Sequence, residues 1–81
     1  MKTINDAVVS RLNKYMEEQN LTQYRLAQLS GIPFPTIKSI MQRKTKDITL
    51  KTIIMLSYGL GISPSEFIAD TSFSYENLTL N

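Results

Sequence analysis

The chain has 81 residues, 42% of them hydrophobic, and a formal net charge of +2. This length predicts one small domain. Cysteine and histidine are both absent from the sequence, which removes thiolate nucleophiles, disulfides, the usual zinc ligands and the commonest general base. We therefore expect no enzyme, no metal and no cofactor. No apolar run approaches the roughly 18 residues of a membrane span, and no signal peptide is recognisable, so we expect a soluble, cytoplasmic protein.

Helical periodicity begins near the N-terminus. From Thr3 to about Gln19, apolar residues recur at steps of three and four, which predicts a helix with one buried face. Thr3 and Asp6 resemble a capping box. Thr22 can cap a second, short helix, which Gly31 can end with a positive φ at no steric cost. The apolar positions of these two helices are Ile4, Val8, Leu12 and Tyr15, then Leu26, Ala27 and Leu29.

The third predicted helix begins between two prolines. Pro33 and Pro35 are tolerated there because the amides of a first helical turn lack partners. Pro35 disfavours helical angles at Phe34, so we place the helix start between the two prolines. The rest of the helix has a narrow apolar seam of Ile37, Ile40 and Met41, and its outward-facing residues are Thr36, Lys38, Ser39 and Gln42.

Two further helices and a tail complete the predicted fold. Thr49 can cap the fourth helix, and SPSEF starts the fifth, with Ser63 as cap, Pro64 first and Glu66 third. Near the C-terminus, FSYENLTL carries a weak strand-like alternation. We predict an all-α, compact five-helix domain over residues 1–69 and a short tail over residues 70–81. The apolar anchors of the last two helices are Leu50, Ile53, Leu56 and Leu60, then Phe67 and Ile68.

Charge is unevenly distributed along the chain. The interval from Thr22 to Lys46 contains no Asp or Glu, whereas Gly61 to Asn81 contains no Lys or Arg. A basic region of this kind is typical of a polyanion site, but a solvated lysine-rich surface has the same composition, so charge alone leaves both interpretations open. The cations of the basic interval are Arg25, Lys38, Arg43, Lys44 and Lys46.

The second and third predicted helices form a helix-turn-helix pattern over about residues 22–42. They are short, a glycine turn joins them, and the later helix is apolar on one side only. In such a pair the later helix packs by one face and enters the DNA major groove by the other, while the earlier helix crosses the phosphate backbone. A small residue at Ala27 would let the two helices approach closely.

At these positions the sequence resembles the Cro/repressor-type (XRE) helix-turn-helix domains of phage and bacterial regulators. The resemblance spans Leu21 to Ile68 with the preceding helix, in the segments LTQYRLAQLSGI, TIKSI and ITLKTIIMLSYGLGISPSEF. It implies a lambda-repressor-like fold and a bacterial or phage-encoded protein that binds double-stranded DNA, as a regulator of transcription and specifically a repressor. We expect a homodimer, because a single helix in one groove gives limited affinity. The positions that match are Thr22, Gln23, Leu26, Ala27, Gly31, Ile37, Leu60, Gly61, Ile62, Ser63, Glu66 and Phe67.

The resemblance also implies roles for individual residues. Gln23 would bind a phosphate, although a solvated residue near a cap is the alternative. The groove-facing residues that include the base readers would be Phe34, Pro35, Thr36, Lys38 and Ser39. The residues that meet the backbone would be Gln42, Arg43, Lys44 and Lys46, with a merely solvated loop as the alternative.

The chain departs from the family at Phe34 and Pro35, where several members place long amide side chains. These two residues cannot form bidentate hydrogen bonds to adenine. Readout would then depend on thymine methyls, on the hydroxyls of Thr36 and Ser39, and on Lys38. A core or hydrophobic-staple role for Phe34 is the alternative.

A protein-interaction module on the same fold, such as an antitoxin or regulator subunit, is the alternative function. The acid-free interval favours DNA, whereas the apolar, proline-bearing start of the third helix favours a protein partner. The tail carries apolar residues that either form a dimer interface or cover their own domain, namely Phe73, Tyr75, Leu78 and Leu80.

Overall fold

The computed structural model describes residues 2–45 and 47–80. Within these ranges five α-helices are followed by two single-turn 3-10 helices, which confirms the predicted all-α, five-helix fold. None of the described helices is long and apolar enough to cross a membrane. The helices are α1 (Ile4–Gln19), α2 (Gln23–Ser30), α3 (Phe34–Met41), α4 (Leu50–Leu60) and α5 (Pro64–Phe67), and the 3-10 turns are Thr71–Phe73 and Tyr75–Asn77.

Four of the five helices begin at the hydroxyl residue that the sequence predicts. In each case the side-chain oxygen accepts a hydrogen bond of 3.1 Å from the backbone N–H three residues later. These bonds satisfy amides that have no partner inside the helix. The capping box of α1 is complete, because the N–H of Thr3 donates to the Asp6 carboxylate. The four caps are Thr3, Thr22, Thr49 and Ser63.

All five helices contribute residues to the core, in which α2 packs against both α3 and α4. At the contact between α2 and α4, a Cβ atom added to Gly59 would lie 2.9 Å from the Cβ of Ser30 and 3.0 Å from its backbone N. Helices α2 and α4 therefore approach closely at Gly59 and Ser30. Ala27, which was expected to let α2 approach α3 closely, is buried. The largest side chains shielded from solvent are Phe67, Leu12, Leu26, Ile37, Ile40 and Leu56.

Two predicted core anchors are wrong. Leu50 is 70% exposed and Ile68 is 47% exposed. Leu50 is the first residue of α4, and Ile48 in the preceding loop packs against the core instead. Ile68 follows a four-residue helix that buries Phe67, so the next residue points away from the core.

A buried arginine fastens α5 to α1. The Arg11 Nε donates to the Phe67 carbonyl at 2.7 Å, and its Nη2 donates to the Glu66 carbonyl at 2.7 Å and to the Tyr15 hydroxyl at 3.1 Å. The Tyr15 hydroxyl in turn donates to the Glu66 carboxylate at 3.1 Å. The last carbonyls of a helix have no N–H partner inside it, and the guanidinium donates to two of them. The Glu66 carbonyl also accepts from the Ala69 N–H at 3.2 Å.

The tail covers its own domain. The Lys2 N–H donates to the Asn77 carbonyl at 3.1 Å, and the Thr79 N–H donates to the Lys2 carbonyl at 2.8 Å. Phe73 packs on Phe67 with ring centroids 6.3 Å apart. The weak alternation in FSYENLTL yields 3-10 turns and a single parallel bridge between Lys2 and Leu78, because the tail meets one extended residue and not an open sheet edge.

Candidate nucleic-acid interface

Helix α3 is held by one face and exposed on the other. Ile37 and Ile40 are buried, which fixes the helix on the core. The predicted groove-facing residues occupy the first six positions of α3, and among them Ser39 is half-buried. Those that lie on the surface are Phe34, Pro35, Thr36 and Lys38. The sequence prediction of a one-sided helix is confirmed.

The turn that leads into α3 is short and anchored on both sides. Gly31 has φ +78°, which only glycine adopts without strain, and it ends α2. Ile32 follows directly and is buried, so the turn is pinned to the core. Its N–H donates to the Ser30 hydroxyl at 3.2 Å. The position of α3 relative to α2 is therefore fixed by packing.

The first turn of α3 offers few free amides. Pro33 and Pro35 have no N–H, and Thr36 and Ile37 already donate to the Pro33 carbonyl at 3.0 and 3.2 Å. Free amides of this kind are what suit a helix N-terminus to binding an anion. Here the chain presents an apolar surface at that place, formed by a phenylalanine between two prolines.

Phe34 lies outside the buried core. Its side chain is 38% exposed and packs on Tyr24 of α2, which is 61% exposed. The ring centroids are 5.8 Å apart and the ring planes meet at 65°, an edge-type aromatic contact. Sequence reasoning missed Tyr24. The signal that could have identified it is its place in the first turn of α2, because the first turns of both helices of this motif lie near the same surface.

The end of α3 is fixed by contacts with α1. The Asn5 side-chain amide donates to the Ile40 carbonyl at 3.2 Å. Arg43 has φ 58°, the left-handed conformation that glycine usually supplies after a helix. Its Nε lies 2.9 Å from an Asp6 carboxylate oxygen. The interval that is free of acids in sequence therefore has an acidic neighbour in space.

Three of the remaining predicted phosphate-binding residues are exposed or partly exposed. Gln42 and Lys44 lie on the surface beyond α3, and Lys46 lies outside the described residues. Gln23 is the first residue of α2, is half-buried, and lines a shallow groove with Glu17 among its neighbours. Arg25, which the site prediction omitted, is exposed on the same helix and donates to Gln28 at 3.2 Å.

Asp6 links the helix cap to the proposed DNA-facing loop, so its protonation should weaken both. Hydrogen bonds from Thr3, then the hydrogen bond and charge of Arg43, lower the pKa of Asp6 below its ordinary value. A carboxylate with a lowered native pKa stabilises the fold above its unfolded pKa, about 3.9, and loses that contribution as pH falls through the native pKa.

We expect Asp6→Ala to melt at a lower temperature than the wild type at pH 6, because the cap and the Arg43 pair are both lost. The difference should shrink as pH falls from about 4 towards 2, because the unfolded carboxyl binds its proton at a higher pH than the native one does. Thermal unfolding followed by circular dichroism across this range measures the difference. A gap that stays constant down to pH 2 would assign the loss to something other than the charge of Asp6.

Two helices joined by a tight glycine turn, with the second exposed on one face, define a helix-turn-helix DNA-binding protein. The chain belongs to the Cro/C1-type HTH DNA-binding domain family, which it matches over residues 11–72. It is 33% identical over 60 residues to the control protein C.SmaI of Serratia marcescens, a match that covers 74% of this chain and 70% of that protein. No solved structure matches the chain. The protein is a DNA-binding transcriptional regulator with an XRE-type helix-turn-helix.

Proposed function

We propose that the protein is a repressor that binds a specific double-stranded DNA sequence, with α3 in the major groove. The observation that carries this proposal is the two-sided character of α3: Ile37 and Ile40 are buried, while its outer face is free for a ligand. We also propose that it acts in the cytoplasm of a bacterium, from a bacterial or phage gene, as the similarity to a Serratia protein suggests. Residues 1–69 would form the DNA-binding domain, and residues 70–81 a tail that ties down the N-terminus.

Base readout would come from the exposed start of α3. Lys38 can donate to guanine acceptors or to phosphate, and the Thr36 hydroxyl can serve either base or backbone. Ser39 is half-buried, so its short side chain would reach DNA only where α3 lies deepest in the groove. Phe34 and Pro35 would contribute apolar contact, for which the thymine methyl is the partner in the major groove.

Phosphate contacts would flank α3 on both sides. Gln23 in the first turn of α2 would bind on one side, where the helix dipole also favours an anion and no acidic residue lies in the turn. Beyond α3 the contacts would come from Gln42, Arg43, Lys44 and Lys46. Arg43 would have to share its guanidinium between Asp6 and a phosphate or exchange one for the other, since the pair is intact without DNA.

A homodimer would place two copies of α3 in successive major grooves about 34 Å apart. One helix in one groove has limited base contacts, so a second half-site is the usual source of added affinity and specificity. Helix α4 carries exposed large apolar residues every four positions, which share one helical face: Leu50, Ile54 and Tyr58. This exposed stripe supports α4 as the dimer surface, whereas the tail is engaged with its own domain.

The salt dependence of binding tests whether the loop beyond α3 meets phosphate. We expect Lys44→Ala to weaken binding to every duplex alike and to flatten the log–log salt dependence by about 0.9, because one condensed counterion fewer is released. Mobility-shift titrations at several salt concentrations measure the slope. Lys14→Ala is the matched control, because it also removes one lysine charge but from α1, outside the helix-turn-helix. There the Lys14 ammonium lies 5.2 Å from the Tyr15 ring centroid.

A slope that Lys44→Ala leaves unchanged would remove Lys44 from the interface. A wild-type protein that shows no salt-sensitive binding to duplex at micromolar concentration would contradict the proposed function itself. It would favour the protein-interaction module instead.

A further inference from the structure

We propose that Tyr24 is a positioning residue for Phe34, and that Phe34, held by Tyr24, is an apolar reader for the C5-methyl group of a pyrimidine in the major groove. This inference rests on the proposed function, because it assumes that α3 enters the groove. It adds a specificity residue on α2 and a defined chemical target. The target is a methyl group, which both thymine and 5-methylcytosine place at the same ring position.

The two rings form a contact on the surface that the core does not require. The side chains of Phe34 and Tyr24 are 38% and 61% exposed, and their ring centroids lie 5.8 Å apart. Each ring stands in the first turn of its helix, at the edge where α2 and α3 would face DNA. The pair therefore joins the two helices at the point where a base edge would arrive.

The backbone and the neighbouring ring both restrict where Phe34 can point. Pro33 and Pro35 have fixed φ angles on either side of it, with Pro33 at φ −55°. Contact with Tyr24 limits the side-chain rotamers that remain. A side chain ordered before binding loses less conformational entropy when the ligand arrives, so pre-organisation increases affinity. Tyr24 would act through Phe34 in this way and need not touch the base.

The groups at the start of α3 favour an apolar target. The prolines carry no N–H, and the N–H groups of Thr36 and Ile37 donate to the Pro33 carbonyl. Neither aromatic ring can form the bidentate hydrogen bonds that read adenine or guanine. Among the groups that unmodified base pairs present in the major groove, the C5-methyl of thymine is the apolar one.

The test uses a duplex that the wild type has selected from a random library. Each thymine in turn is replaced by uracil, which removes only the methyl group. At the most sensitive position, cytosine and 5-methylcytosine are then compared. We expect removal of the methyl to lower affinity about fourfold at one position per half-site, which corresponds to burial of about one methylene-sized group.

The variants separate positioning from general stability. Phe34→Ala should bring the methyl to non-methyl affinity ratio to about one, and Tyr24→Ala should reduce it by at least half. Tyr24→Phe should keep the ratio, because the ring and not the hydroxyl positions Phe34. Tyr75→Ala is the matched control, since Tyr75 is also an exposed tyrosine, 80% against 61% for Tyr24, and lies in the tail.

Each outcome decides the proposal. A ratio near fourfold for thymine over uracil, or for 5-methylcytosine over cytosine, supports it and identifies the methylated base that is read. Ratios near one for both pairs overturn it, even where salt-sensitive and sequence-selective binding shows that the proposed function stands. A ratio that Tyr24→Ala leaves at the wild-type value overturns the role of Tyr24, and melting temperatures of all variants show whether each is folded.

Discussion

Arg11→Ala should lower the free energy of unfolding by about 3 kcal/mol, because it removes a charged donor from the buried Phe67 carbonyl and another from the Glu66 carbonyl. The guanidinium donates to the Phe67 and Glu66 carbonyls at 2.7 Å each. The Glu66 carbonyl also accepts from the Ala69 N–H at 3.2 Å, so the Phe67 carbonyl loses more. The same change removes the contact with Tyr15 and the charge that faces Asp70 at 3.9 Å. We therefore expect α5 and the tail to loosen together.

Urea unfolding followed by circular dichroism measures the loss. Arg11→Lys should recover part of it, since an ammonium can serve one carbonyl but lacks the forked geometry that serves both. Arg25→Ala is the control, because Arg25 is an exposed arginine whose removal should cost within about 0.5 kcal/mol. A loss below 1 kcal/mol for Arg11→Ala would mean that water replaces the guanidinium, and that α5 is held by Phe67 alone.

Gly59→Ala should lower the free energy of unfolding by about 2 kcal/mol. The added Cβ would meet Ser30 at 2.9 to 3.0 Å, and two of the three atoms it meets are backbone. Overpacking against backbone costs about 3 kcal/mol, and the better helix propensity of alanine offsets about 1 kcal/mol of this. Because α2 also carries the turn into α3, the same variant should weaken DNA binding when it is still folded.

Lys51→Ala is the comparison for Gly59→Ala, since it changes an exposed position of the same helix. Its stability should stay within about 0.5 kcal/mol of the wild type. A Gly59→Ala variant more stable than the wild type would show that α2 and α4 can move apart freely, and that their close approach does not fix the motif.

Local sequence signals predicted the secondary structure well because they act within a few residues. Thr3, Thr22, Thr49 and Ser63 each cap a helix through a bond to the third residue beyond, which can be read directly from the chain. The glycine turn at Gly31 is equally local. The periodic apolar positions predicted most of the core for the same reason.

Features that depend on distant pairs could not be predicted in this way. From the sequence Arg11 resembles a surface charge, but α5 packs on it and buries it. From the sequence Leu50 resembles a core residue, but Ile48 packs on the core and Leu50 is exposed. The partner of Arg43 lies 37 positions away, in the cap of α1. Phe34 was ambiguous for a similar reason, because its neighbour Tyr24 lies on another helix.

Selection from a random duplex library tests most directly whether the protein binds a specific DNA sequence through α3. We predict a palindromic consensus with two half-sites about 10 base pairs apart, in which each half-site contains a conserved thymine. Lys38→Ala and Phe34→Ala should each change the preferred base at one position per half-site without abolishing binding. A pool that is no more enriched than one carried through without protein would contradict sequence-specific binding.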